Sequence, residues 1–248
     1  MPQGQVSELS ARLNKATAVT VLTGSGLSAP SGVPTFRGQQ GLWNNRRPEE
    51  LATPEAFAAD PVMVWEWYDS RRQHVATCEP NDAHRVLARW SQQSQPTTVI
   101  TQNVDGLHER ARTAHVIRFH GSIWKLQCWQ GCTVSPAPWW DNTVPLSPCP
   151  PRCPECGGLA RPGVVWFGES IDPKVLDRSL RATRCQVFLA VGTSALVYPA
   201  ASLIQTAKQH GAFTAEINLE ATPISPGVDL ALRGSADKIL TTVDWLRR

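Results

Sequence analysis

Apolar positions along this chain recur with two different periods, and the change of period marks the elements. "SELSARLNKA" follows Val6 with Leu9 and Leu13 at helical spacing, which predicts an amphipathic helix with Ser7 as candidate cap. "TAVTVLTG" is a β-branched run closed by glycine, the pattern of a strand buried on both faces. "TTVITQN" (97–103), "CQVFLAVGTS" (185–194) and "GAFTAEINLE" (211–220) read the same way, and "ADKILTTV" is expected to close the sheet. Helical patterns fall between them, at about 81–93, 172–182 and 199–210. Strands alternating with helices predict an α/β fold, a Rossmann-like doubly wound parallel sheet.

Two stretches break the alternation. Residues 30–75 are rich in Pro, Gly and Trp and end in a helix-like segment, "VWEWYDSRRQ". Residues 121–163 hold eight prolines and five of the seven cysteines. Both read as insertions that leave the sheet and return. The expected division is a large domain of 1–34, 76–120 and 164–248. A helical insertion at 35–75 and a zinc-ribbon insertion at 121–163 would together form a smaller lobe.

Composition narrows the class. With 42% hydrophobic and 18% charged residues, 248 positions suffice for a buried core. The net charge of +3 is spread along the chain without a basic tail, so no nucleic-acid partner is expected. No run approaches the roughly 18 apolar residues of a membrane span, and the polar N-terminus lacks a secretory centre. A cytoplasmic location without membrane association is therefore expected. In that reducing setting, clustered cysteines point to metal ligation more than to disulfides. The oligomeric state stays open, a monomer being compatible.

Three motifs carry candidate chemistry. In "VLTGSGLSAPSG", Gly24, Gly26 and Ala29 satisfy the G-x-G-x-x-G/A spacing after a strand, where backbone amides can meet a pyrophosphate. Pro30, Gly32 and Pro34 forbid the long helix of an ordinary dinucleotide fold, so a tight turn or an unusual nucleotide site are both open. Cys128, Cys132, Cys153 and Cys156 form C-x3-C-x20-C-x2-C, close to zinc-ribbon spacing; four thiolates saturate one tetrahedral, structural zinc. Cys149 is a spare that could stand in for Cys153. In "TQNVDGLHERARTAHVIRFHGS", Gln102, Asn103 and Asp105 follow a strand, where open parallel sheets present ligand-binding groups. His120 is a candidate general base, with His108 and His115 as alternatives that position does not exclude.

Taken in order, "TGSGLSAPSGVPTFRG", "TQNVDGLH", "FHGS", the cysteine pairs, "VVWFGE", "VGTSALVYPA" and "INLE" resemble the sirtuins, NAD-dependent protein-lysine deacylases. The resemblance runs from about residue 18 to 240. The chain closely resembles the class whose members remove succinyl and malonyl groups. Ser25 stands where the family usually has alanine, the first cysteine pair is one residue wider than in many relatives, and the zinc lobe is short. The resemblance implies NAD as co-substrate, bound by Gly24, Ser25, Gly26 and Ala29, with Phe36 and Arg37 covering the cofactor. Gln102, Asn103 and Asp105 would hold ribose and nicotinamide, Gly192, Thr193 and Ser194 phosphate and ribose, Asn218 and Glu220 the adenosine, and Ala236 the adenine end. His120, Asn103 and Asp105 would be catalytic, His120 as general base toward a ribose hydroxyl. Val165, Trp166 and Phe167 of "VVWFGE" would offer an edge to an extended acyl-lysine peptide.

The same resemblance gives "VWEWYDSRRQ" a meaning. Tyr68 and Arg71 match a pair that floors the acyl pocket in succinyl- and malonyl-removing members, and Ala52 matches a small residue that leaves room for a longer acyl chain. Arg72 is also one turn from Tyr68, so the register is open. Competing readings are a mono-ADP-ribosyltransferase on the same fold and a non-catalytic acyl-lysine binding module. An oxidoreductase is the weakest, since the glycine loop lacks its helix.

Overall fold

The structure is a computed structural model that describes residues 3–35, 50–93, 96–132 and 137–246. A six-stranded, all-parallel sheet is built from β1 (Val19–Thr23), β2 (Thr97–Thr101), β3 (Val116–Arg118), β7 (Val187–Val191), β8 (Phe213–Asn218) and β9 (Leu230–Arg233). Its order is β3-β2-β1-β7-β8-β9. The chain therefore reverses direction across the sheet between β1 and β7, the position at which such folds bind ligands.

Alternation along the strands explains the two covered faces. Val187, Leu189 and Val191 enter one core with helices α1 (Gln3–Lys15), α5 (Asp82–Ser91) and α9 (Ala236–Leu246). Phe188 and Ala190, pointing the other way, enter the core beneath α7 (Pro173–Ala182) and α8 (Leu203–Gln209). Polar residues start the helices: Asn81 and His84 form a reciprocal capping box on α5, and the Asp172 carboxylate accepts from Lys174 N and Val175 N on α7.

Two expectations need correction. "ADKILTTV" is part of helix α9, because Ile239, Leu240 and Val243 share one buried helical face; the sheet ends instead on the short strand β9. Ser7 lies inside α1, which starts at Gln3, and caps nothing. Sequence patterning also missed β3, whose three residues are too few to set a period.

The smaller lobe has an antiparallel sheet in the order β5-β4-β6, from β4 (Gly121–Cys128), β5 (Trp139–Trp140) and β6 (Ala160–Val164). Against it pack α3 (Pro54–Ala59) and α4 (Pro61–Thr77) in a separate apolar cluster that includes Phe57, Trp65 and Tyr68. Arg72 of α4 is fully buried and ties the two insertions together. Its guanidinium donates to the carbonyls of Ile123, Asp141 and Thr143 and pairs with the Asp141 carboxylate at 2.8 Å. Among the described residues, no helix is long and apolar enough to cross a membrane.

Candidate functional site

The glycine loop leaves β1 at its carboxyl end and makes only one helical turn, α2 (Ser25–Ser28), before a 3-10 turn at Ala29–Ser31. That short turn is what Pro30, Gly32 and Pro34 predict. The loop is stitched to the one after β7: Gly24 N donates to Val191 O at 3.0 Å and Gly26 N to Gly192 O at 2.8 Å. A Cβ on Gly24 or Gly26 would lie under 3.0 Å from Gly192 or Thr193, and one on Gly192 would collide with Leu27 N. Gly192 also has φ +60°. The two loops touch through bare backbone, an approach that only glycine permits at these positions. Gly192→Ala is expected to push the loops apart and lower kcat/KM for the dinucleotide about ten- to a hundredfold, read from initial rates at varied dinucleotide concentration.

Thr193 gathers the neighbouring strands. Its hydroxyl accepts from Gln102 Nε2 and its carbonyl from Asn218 Nδ2, both at 2.8 Å. The carboxyl ends of β1, β2, β7 and β8 thus meet at one crevice. Ser194 and Glu220 lie on the loops that follow, Glu220 exposed. Ala29 lies in the 3-10 turn, and the buried Ala236 opens α9. Phe36 and Arg37 lie outside the described residues.

Beneath the glycine loop is a buried polar network. Ser28 Oγ donates to Asp105 Oδ2 at 2.8 Å and accepts from Asn103 Nδ2 at 3.0 Å; Asn103 Nδ2 also donates to Gly24 O. Asp105 Oδ1 accepts from Leu107 N. Burial raises the Asp105 pKa above the usual carboxylate value, partly opposed by the Leu107 and Ser28 hydrogen bonds. Below Ser28 lies His84, its Nε2 at 3.5 Å and its Nδ1 accepting from Asn81 N. Sequence reasoning missed Ser28 and His84 as site residues. Ser28 stood inside a quoted motif, but nothing in its spacing marked it as the hub.

The three candidate histidines now separate. His108 is buried in the single turn α6 (Leu107–Arg110), its Nε2 3.0 Å from Thr23 Oγ1, and burial lowers its pKa to about 4. His115 is exposed just before β3, at the opposite end of the sheet from the glycine loops. His120 lies between β3 and β4, at the junction of the two sheets, with Nδ1 3.2 Å from the Gln102 carbonyl. A carbonyl only accepts, so Nδ1 carries the proton and Nε2 keeps a lone pair. Burial lowers the His120 pKa below the ordinary value, against the hydrogen bond to Gln102. At neutral pH this is an uncharged imidazole with a basic nitrogen, on the same side of the sheet as the crevice.

On the lobe side, Val165 N donates to His120 O and Phe167 N to Ala52 O, while Trp166 N donates to Glu169 Oε2. These three amides are already satisfied within the chain. Ala52, Tyr68 and Trp166 are buried together. The Arg71 guanidinium lies over the rings of Trp67 at 4.6 Å and Tyr68 at 5.9 Å. Burial lowers the Arg71 pKa, opposed by the charges of Tyr68 and Asp105. Of the two arginines one turn from Tyr68, Arg72 holds the lobe together and Arg71 lies over the Tyr68 ring.

The four cysteines converge. The Sγ atoms of Cys128, Cys132, Cys153 and Cys156 all lie within 4.8 Å of one another, with Cys128 to Cys156 at 3.7 Å and Cys132 to Cys153 at 3.8 Å. Zn–S bonds of about 2.3 Å in a tetrahedron place sulfurs about 3.8 Å apart, so the set fits one zinc with no position open for water. Cys149 is exposed and outside this cluster.

Residues 24–199 match the Sir2 family. The chain is 49% identical to an NAD-dependent protein deacylase of Aquifex aeolicus, over 92% of this chain and 95% of that protein. It is 48% identical to NAD-dependent protein deacylase 1 of Archaeoglobus fulgidus, over 90% and 89%. Among solved structures, it superposes on a Sir2 homolog–NAD complex with a TM-score of 0.89 at 45% identity, covering 97% of this chain and 93% of the other.

Proposed function

This chain belongs to the Sir2 family and is an NAD-dependent protein deacylase, and we propose that it acts on lysine carrying acidic acyl groups: succinyl, malonyl and, by the same chemistry, glutaryl. Acetyl-lysine would be a poorer substrate. NAD supplies the ribose carbon that becomes electrophilic as nicotinamide leaves, and it carries the acyl group away as 2'-O-acyl-ADP-ribose. The residues of this chain do the rest. Asn103 and Asp105, fixed by Ser28, are poised to hold the nicotinamide carboxamide. His120 Nε2, left basic by the Gln102 hydrogen bond, takes a proton from a ribose hydroxyl.

The observation that supports the acidic-acyl reading is the pairing of a cation with a buried phenol: the Arg71 guanidinium lies 5.9 Å from the ring of Tyr68, which is itself buried in the lobe. A guanidinium grips a carboxylate with paired hydrogen bonds, and a phenol adds a third. Charged hydrogen bonds contribute about 1.5–3 kcal/mol, so Arg71→Met should lower kcat/KM on succinyl-lysine about ten- to a hundredfold. The rate on acetyl-lysine should change much less. Comparing acetyl-, malonyl-, succinyl- and glutaryl-lysine on one peptide tests this; an equal fall on all four would make the pair structural.

A further inference from the structure

The proton on the Tyr68 hydroxyl has a direction to explain, a point that rests on the acidic-acyl reading and deepens it. Tyr68 is 3% exposed, and its oxygen receives the Trp166 indole N–H at 2.9 Å. Indole nitrogen only donates, so the phenol oxygen is the acceptor in this pair. The phenol's own proton must then point elsewhere, and among the described residues no acceptor takes it. A buried donor without an acceptor needs a ligand to complete it. Burial raises the phenol's pKa above its usual value, so the proton is present at neutral pH.

The indole is itself fixed from outside. The Arg161 guanidinium lies over its ring at 3.5 Å. Both ends of that guanidinium bind the Glu169 carboxylate, and Glu169 Oε2 also accepts from Trp166 N at 2.8 Å. A cation over the indole face stabilises that orientation. The chain of contacts runs Glu169, Arg161, Trp166, Tyr68, and it ends beside Arg71.

We propose that Trp166 is a positioning residue for acyl selectivity: by donating to the Tyr68 oxygen, it leaves the phenol proton for the carboxylate of an acyl group held at Arg71. A carboxylate gains from such a donor and the methyl of an acetyl group does not. The consequence is a selectivity ratio, not a general rate.

The test begins with the unaltered enzyme and Arg71→Met, assayed on succinyl- and acetyl-lysine in one peptide at saturating NAD. Absence of any Arg71-dependent acidic preference overturns the acyl reading, and this role with it. Given that preference, Trp166→Phe keeps an aromatic ring and removes the N–H. The succinyl-to-acetyl ratio of kcat/KM should then fall about fivefold, with the loss in KM for the succinyl peptide. Trp166→Phe combined with Tyr68→Phe should give the ratio of Tyr68→Phe alone, because the two groups act as one. An equal fall on both peptides, a loss confined to kcat, or independent addition of the two substitutions overturns the role of Trp166 while leaving Arg71 intact. Should Trp166→Phe fail to fold, 3-benzothienylalanine at position 166 keeps the bicyclic shape without the N–H. A ratio unchanged by it overturns the proposal, and a fivefold fall supports it.

Discussion

His120→Ala should lower turnover by about a hundred- to ten-thousandfold while NAD still binds. The imidazole is held by Gln102 at the junction of the two sheets and rests against Phe119, and the hydrogen bonds that join the glycine loops and Thr193 do not run through it, so its removal should leave them in place. Isothermal titration with NAD and a nicotinamide-release assay on the same preparation separate binding from chemistry. A variant with near-normal turnover would remove His120 from the role. The pH profile gives a second check. Burial lowers the His120 pKa, so the basic form persists to more acidic conditions than for a free imidazole. The acid limb of kcat/KM should therefore lie below the ordinary histidine value and vanish in the alanine variant.

Cys153→Ser should cost the enzyme its metal and, with it, the lobe. Binding of a structural zinc contributes about 10–16 kcal/mol in small zinc domains, and here the four sulfurs are gathered from a β-strand and three loop positions. Elemental analysis should find one zinc per chain in the unaltered protein and almost none in the variant. Tm should fall by about 10 °C or more, and chelation should abolish activity without touching any residue of the NAD crevice. Cys149→Ser is the control, since Cys149 lies outside the cluster and should leave zinc content unchanged. Retention of a full zinc equivalent by Cys153→Ser would overturn the ligand set.

The parallel sheet was legible because strands buried on both faces read as short, β-branched and largely apolar runs, as "VFLAV" and "VTVLT" do, each bounded by turn residues. The cysteine site was legible because two close thiol pairs in one short segment are the signature of a single bound metal. Helix α9 was misread from its β-branched residues, and its buried face follows from packing on α5, which lies far away in sequence. The polar network around Ser28 was invisible for a similar reason. It joins residues 75 and 77 positions apart, and the Trp166–Tyr68 bond spans 98. No local period encodes such pairs; only the crossing of the chain at the carboxyl ends of the strands brings them together. The resemblance of whole motifs supplied candidate NAD positions, but it did not reveal which side chains hold which.

Arg71 and Arg72 are neighbours of one chemical type with opposite obligations. One is woven into the frame that joins helix α4 to the small sheet, and the other lies over the ring of Tyr68. On the proposed acyl reading, a single codon change at position 71 would shift substrate range and leave the scaffold in place, whereas a change at position 72 would strip the Asp141 carboxylate and three carbonyls of their partner. On that reading, an enzyme arranged this way would acquire a new acyl diet in one mutational step, changing in taste before it changed in form.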